Sequence, residues 1–450
     1  MQVFKALLFS FILMSVAGVN AVSSVFLKDI KDSQTLVLSK GVSYQGQVKN
    51  EVPHGKGILT DESGIYYKGD WIEGKFDGIG LYIWADGVRY QGQLKNGNAH
   101  GKGVKTHANG DRYQGLFDQG KEQGKGVYTW KNGDRYEGDW HSGKSHGKGV
   151  ITHALGGGYE GDYQHGKFHG KGVRLFADGT RYQGDFKYGK FDGIGAIAFA
   201  NSAHYQGDYQ QGREHGKGVY TWENGDHYQG DWRNGMFHGK GEISYIDGTR
   251  YKGELQHGNP HGKGIMNYAS GSRYEGQYKH GKYHGQGVMN YSNDTLYRGT
   301  YQNGKAHGRG MATFINGDRY EGDYQYGKFH GKGAMNYANG TRYIGGYQNG
   351  KAHGKGMASF IDGSRYEGEY KNGEFHGKGV KNFADGSRYE GDHKAGKFHG
   401  QGFYIWPGGT RFYEGEYQQG VAHGKGVKTL SDGSRYEGVW VNGKPLKPLK

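Results

Sequence analysis

Residues Tyr228–Arg250 read YQGDWRNGMFHGKGEISYIDGTR, and nearly everything after residue 43 is a copy of that stretch. Tyrosines recur at Tyr44, Tyr67, Tyr90 and Tyr113, and onward to Tyr366 and Tyr389, always with a step of 23 residues. Tyr413 and Tyr436 continue the series after one inserted residue. A fixed short period marks a repeat array, and it outranks any local reading of composition. The 90 glycines would otherwise suggest a disordered or collagen-like chain. They obey the same 23-residue step, however, and 38 tyrosines accompany them.

With the tyrosine as position 1, positions 1, 3 and 5 are Tyr, Gly and an aromatic residue. Alternate side chains of a strand share a face, so these three are expected on one face and the acids and amides of positions 2 and 4 on the other. A first strand is placed at Arg250-Tyr251-Lys252-Gly253-Glu254-Leu255. Asn132-Gly133 and Asp178-Gly179 read as tight hairpin turns, because both residues of such a pair tolerate positive φ. The glycine at position 3 leaves room for a neighbouring aromatic ring to lie over the backbone. Position 15 is apolar (Val127, Val150, Val219) and position 18 aromatic (Trp130, Phe199, Trp222). Strict alternation puts these two on opposite faces, so either a bulge intervenes or both faces carry some core. One hairpin is too small to bury a core and must stack on its neighbours. The expected fold is all-β, an elongated single-layer twisted ribbon of stacked antiparallel hairpins. At about 4.8 Å per strand, adjacent copies would stand about 9.6 Å apart.

The unit Tyr228, Gly230, Trp232, Gly235, His238, Gly239, Gly241, Tyr245, Asp247 and Gly248 closely resembles the MORN repeat. The resemblance extends over residues 44–443, as seventeen full copies and a partial one. It implies scaffolding, membrane attachment or phosphoinositide contact. Enzymes of this family, such as lipid kinases and a histone lysine methyltransferase, carry their chemistry in a separate domain. No stretch of this sequence is left over for one, so no enzymatic activity is expected.

Outside the array, residues 1–21 resemble a secretory leader. Lys5 precedes the apolar run Ala6–Val16, and Val19-Asn20-Ala21 offers a cut after Ala21. The run is short for a membrane span, which needs about 20 residues. The expected location is secreted, periplasmic or cell-surface. The chain has no cysteine, which excludes disulfides and thiolate metal sites. Residues 22–43 are read as an N-terminal cap over the first sheet edge, with short strands at Val25-Phe26-Leu27 and Leu36-Val37-Leu38. Residues 444–450 are read as a tail whose prolines block further pairing. Ser202 and Asp294 replace a turn glycine, and the Ser202 turn is expected to be rebuilt. The inserted Phe412 reads as a bulge or kink.

Gly138-Asp139-Trp140-His141-Ser142-Gly143-Lys144-Ser145 matches the nucleotide-binding pattern GxxxxGK[ST] letter for letter. That motif works only as a strand-to-helix loop. The same frame recurs in other copies, as at Gly322–Lys328, so no nucleotide is expected. Histidine fills position 11 in fourteen copies, with Asp77, Gln123 and Asp192 elsewhere. Position-11 residues about 9.6 Å apart cannot share one ion, whose ligands sit about 2 Å from it. Each histidine is read as hydrogen-bonded to local backbone, and no metal or cofactor is expected.

Lysines flank that histidine at positions 9 and 13. The candidate contacts to an anionic surface are Lys144, His146, Lys148, Lys167, His169, Lys171, Lys328, His330, Lys332, Lys351, His353 and Lys355. A net charge of +14 permits such contacts, although acids at positions 2 and 4 offset much of it and the rows would equally serve as a solvated edge. Three partners follow from these features. The leading one is a protein bound by an exported scaffold. The second is an anionic membrane or phosphoinositide. The third is a glycan or cell wall stacked on aromatic rows. Nucleic acid is a weak fourth, since an exported protein rarely meets it.

Overall fold

The computed structural model describes residues 33–446. The leader, the cut after Ala21, the strand at Val25–Leu27 and the end of the tail lie outside the described residues. The chain divides into two compact units between Arg213 and Glu214. The first carries strands from Gln34–Ser39 to His204–Gln210, and the second from Arg213–Thr221 to Lys444–Pro445. No described residue is helical, and within each unit the strands pair antiparallel with their neighbours in sequence.

One copy shows how the sequence builds this. The strand His227–Arg233 pairs with Met236–Ser244, which pairs in turn with Arg250–Gln256. Tyr228 stands opposite Ile243, Gly230 opposite Gly241, and Trp232 opposite Phe237. Positions 1, 3 and 5 therefore share a face with positions 16, 14 and 10. The Tyr228 ring lies across the Gly230–Gly241 pair of its own copy. A Cβ at Gly241 would stand 2.5 Å from Tyr228 Cε2, so only glycine fits beneath the ring. The Tyr228 hydroxyl donates to the Asp231 carbonyl at 2.7 Å, and Tyr320 and Tyr389 make the same bond to Asp323 and Asp392, both at 2.9 Å. These tyrosines are fully buried.

The aromatic at position 5 joins one copy to the next. Trp140 meets Tyr136 of its own copy edge-on at 5.3 Å and Tyr113 of the preceding copy at 5.0 Å. Tyr347 does the same between Tyr343 and Tyr320, both at 5.2 Å. Each such contact contributes about 1 kcal/mol beyond its burial. The position-10 phenylalanines stack flat on the tyrosines, as Phe329 does on Tyr320 at 3.8 Å. The core of each unit is this ladder of rings along one face.

Positions 15 and 18 fall on opposite faces. Position 18 joins the aromatic side, where Trp130 touches Tyr128 at 4.6 Å and Trp222 touches Phe237 at 5.6 Å. Position 15 lies on the other side beside position 2, and Val150 there is 42% exposed. A bulge does exist, but at positions 12 and 13. The pairing jumps from Gly230–Gly241 to Asp231–His238, leaving Gly239 and Lys240 unopposed in that hairpin.

The turns depart from the sequence reading. The turn with two positive φ values lies at positions 7 and 8, as at Asn234 (52°) and Gly235 (80°). At Asn132-Gly133 and Asp178-Gly179 only the glycine is left-handed. That connection is longer, since Tyr245 N donates to Thr249 O at 2.9 Å and Gly248 N to Tyr245 O at 3.0 Å. Its Asp or Asn is selected by the side chain, which accepts the backbone N–H two residues on, as Asp247 does from Thr249 at 2.7 Å. The Ser202 turn is not rebuilt. Ser202 (73°) and Asp294 (61°) adopt the glycine conformation and keep the same hydrogen bonds.

Nor is Phe412 a bulge or kink in its strand. It opens the strand Phe412–Gln418 opposite Ile405, the place arginine holds in other copies. The extra residue is absorbed in the preceding turn, closed by Trp406 N to Arg411 O at 3.0 Å. At the beginning of the described chain, Gln34–Ser39 pairs with Val42–Lys49 and Leu36 packs beside Tyr44. Near its end, Lys444–Pro445 pairs briefly with the strand Arg435–Val441.

Candidate functional site

The candidate residues sit on hairpins whose geometry the bulge sets. Lys144, Lys167, Lys328 and Lys351 each open a second strand straight after the tight turn and are exposed. His146, His169, His330 and His353 follow two residues later and are half-buried or better. Lys148 and Lys171 belong to the bulge, as do Lys332 and Lys355. Positions 9, 11 and 13 all lie on the face that carries positions 2 and 4, away from the ring ladder.

The acid at position 4 does two jobs there. Its carboxylate accepts the N–H of position 13 in its own hairpin, as Asp139 does from Lys148 at 3.0 Å and Asp323 from Lys332 at 3.0 Å. It also receives the ammonium of position 13 from the preceding copy. Lys125 reaches Asp139 at 2.7 Å, Lys148 reaches Asp162 at 2.5 Å, and Lys171 reaches Asp185 at 3.1 Å. Position 4 is therefore a clamp on the bulge as well as a counter-charge. Some copies in both units lack this acid, as where Lys102 stands opposite Leu116 in the first, while Lys217 keeps its pair with Asp231 in the second. Lys263 stands opposite Gln277, Lys332 opposite Gly346, and Lys425 opposite Val439. These three positive charges have no acid across the strand.

Position 11 points at the tight turn of the next copy. Asp77 accepts the N–H of Asn96 at 3.0 Å, Asp192 that of Gln211 at 3.0 Å, and Gln123 that of Ser142 at 3.1 Å. The histidines point the same way, but the expected bond to local backbone is missing in several. The Nδ1 atoms of His146, His169, His284, His307 and His353 are buried without a hydrogen-bond partner. Three of these rings lie against the ring at position 7 of the next copy: His146 against His165 and His169 against Tyr188, both at 5.5 Å, and His307 against Tyr326 at 5.7 Å.

The apparent phosphate loop is one of these hairpins. Gly138–His141 ends the strand Arg135–His141, Ser142 and Gly143 form the turn, and Lys144–Thr152 returns as a strand. No helix N-terminus follows to receive a phosphate.

Two further features were not foreseen. On the first unit's outer face, the backs of Gly149, Gly161, Gly172, Gly184 and Gly195 floor an open trough between Lys148 and Lys171 on one side and Val150 and Val173 on the other. Its only signal in the sequence is the in-register glycines of positions 3 and 14. The second is His393, which replaces the aromatic of position 5 and is 3% exposed among Tyr366, Tyr389 and Phe398. Burial pushes its pKa down to about 4; Lys381 adds to that, while the nearby backbone of Gly391 and Gly377 and the Asp392 charge partly oppose it.

Fold and site define a class: an array of like hairpins that carry a charged rim. The chain belongs to the MORN repeat family, whose model matches eighteen consecutive segments from residues 44–66 to residues 436–445. No curated protein matches the chain. Among solved structures it is similar to the SAS-4 TCP domain of Drosophila melanogaster in complex with a proline-rich motif of Ana2, at 12% identity. That match covers 39% of this chain and 88% of the other, with a TM-score of 0.23. It is also similar to the TCP10 domain of Danio rerio CPAP in complex with a STIL peptide, at 11% identity over 60% of this chain and 95% of the other, with a TM-score of 0.20. Virginiamycin B lyase from Staphylococcus aureus matches at 12% identity over 63% and 96%, with a TM-score of 0.12. TM-scores this low carry no argument about function.

Proposed function

We propose that this chain is a non-enzymatic scaffold, exported after removal of residues 1–21, that holds a protein partner along the outer face of its hairpins. The observation that carries the reading is repetition. Copy after copy sets positions 9, 11 and 13 on one face over the same bulge, and a catalytic site would call for one distinctive cluster instead. The partner binds by summing weak, equivalent contacts. The test is affinity capture with the mature chain, comparing the parent with one in which Lys144, Lys148, Lys167 and Lys171 are all glutamate. A partner held by both chains alike would exclude this face. Edman sequencing of the extracellular or periplasmic form tests the export step and should begin at Val22; recovery of uncut chain from cytosol alone would end it.

A second reading has its own support. Lys263, Lys332 and Lys425 lack an acid across the strand, so the second unit offers uncompensated cations to an anionic membrane. Each exposed lysine near such a surface contributes about 1 kcal/mol, screened within about 8 Å at physiological ionic strength. Co-sedimentation should then require anionic liposomes, weaken in salt and strengthen at pH 5.5. Charge reversal at Lys328 and Lys332 should weaken it more than reversal at Lys144 and Lys148. Binding that ignores lipid charge and salt would remove this reading.

A further inference from the structure

The ring ladder has a rim as well as a core. Position 18 of one copy stands beside position 10 of the next, as Trp222 does beside Phe237 at 5.6 Å and Phe360 beside Phe375 at 6.4 Å. Both positions are tyrosine at one place in the sequence, Tyr268 and Tyr283. There the two hydroxyls are in hydrogen-bond contact. Tyr245, Tyr291 and Tyr337 also hold position 18, but position 10 of the next copy is then Pro260, Ala306 or Ala352.

The surroundings set this pair apart from the other tyrosine contacts. Tyr283 is stacked on Tyr274 at 3.7 Å and meets Tyr278 and Tyr301 edge-on at 5.5 Å and 5.6 Å, which fixes its plane. Those three partners are buried, and Tyr274 commits its hydroxyl to the Gln277 carbonyl at 2.9 Å. Close packing denies them the turn that a new ring-to-ring bond requires. Tyr268 and Tyr283 are only half-buried, so both are partly open to solvent.

Two phenols in contact can be coupled by oxidation. A tyrosine that gives up one electron and its hydroxyl proton becomes a phenoxyl radical, with the unpaired electron shared between the oxygen and the ring. Two such radicals join Cε to Cε, and the hydrogens on those carbons move to the oxygens and restore both phenols. The pair has then lost two electrons and two protons, which one hydrogen peroxide takes up to leave as two waters. The Cε carbons flank the hydroxyl-bearing carbon of each ring. Hydroxyls in contact therefore bring them within a turn of the Tyr268 side chain.

We propose that Tyr268 and Tyr283 are a cross-linking site, joined Cε to Cε by a haem peroxidase with hydrogen peroxide as the oxidant. The bond ties one copy to the next across a separation of 15 residues. A chain without cysteine has no disulfide with which to make such a tie.

The test is treatment of the dilute full chain with hydrogen peroxide and a haem peroxidase, followed by tryptic mass spectrometry of the monomeric product. Tyr268 is the sole tyrosine of its tryptic peptide, residues 264–273. That peptide should appear joined to residues 283–298, lighter than their sum by two hydrogens, with fragmentation placing the bond at Tyr283. Its yield should exceed that of any link from Tyr245, Tyr291 or Tyr337 about tenfold or more, because proximity favours the pair in contact. Tyr268→Phe and Tyr283→Phe should each abolish it, and Tyr291→Phe should leave it unchanged. Absence of this pair from the links of the parent chain would overturn the proposal, as would links from Tyr245, Tyr291 and Tyr337 in equal yield.

Discussion

Replacing His393 by phenylalanine should protect the fold against acid. His393 occupies a rung of the ring ladder, with Tyr366 and Tyr389 edge-on at 5.0 Å each. Burial holds its pKa near 4 in the folded chain against an ordinary value of 6.5. Between those values the unfolded chain binds more protons than the folded one, so stability rises with pH there. The contribution is fully present above 6.5 and is lost as the pH falls toward 4. Each pH unit in that window is worth about 1.4 kcal/mol, which gives a loss of roughly 2–3 kcal/mol between pH 7.5 and pH 4.5. Phenylalanine already fills this rung as Phe117 and Phe186, both buried, so the substitution keeps the packing. Urea unfolding of parent and variant at the two pH values measures the effect, and the difference between chains removes the background of the other histidines. If both lose stability equally in acid, the burial argument fails. A His393 ring that titrates near 6.5 by NMR would refute it as directly.

Further outcomes follow from the ladder. Tyr320→Phe should destabilise by about 1 kcal/mol in urea unfolding, because its hydroxyl is bonded to the Asp323 carbonyl. Tyr324→Phe should be neutral or stabilising in the same assay, because that hydroxyl is buried without a partner. Gly333→Ala should cost about 1–3 kcal/mol or more, since its Cβ would meet the Tyr320 ring within 2.7 Å and overpack the core. Lys144→Ala should leave ATP binding at the background seen with the parent in calorimetry, because Lys144 merely opens a strand.

The 23-residue period was enough to define the strands, the shared face of positions 1, 3 and 5 and the stacking of copies. Those follow from alternation, which a sequence displays directly. Turn geometry was less accessible. Asn-Gly and Asp-Gly serve both the two-residue turn and the longer one closed by an Asp or Asn side chain, so Asn132-Gly133 was placed in the wrong type. The true left-handed pair was hidden because position 7 accepts residues as different as Glu73, His165, Tyr188 and Ala395, all with positive φ. The bulge at positions 12 and 13 leaves no trace in hydrophobic alternation. For that reason the acid one copy further on that pairs with Lys125, Lys148 and Lys171 at position 13 could not be read. The histidine neighbours were missed for the same reason. Spacing compares like positions, whereas the bulge sets His146 against position 7 of the next copy.

Each unit is built on tyrosines buried over glycine pairs, and phenol titration tests this most directly. Burial raises the pKa of the ladder tyrosines at positions 1 and 5, among them Tyr182, Tyr228, Tyr320 and Tyr324. Ultraviolet titration of the folded chain, with circular dichroism recorded alongside, should leave this set protonated past about pH 11, well above the ordinary value near 10. It should ionise only as the β signal collapses. A folded chain whose tyrosines all ionise together near pH 10 would contradict the account.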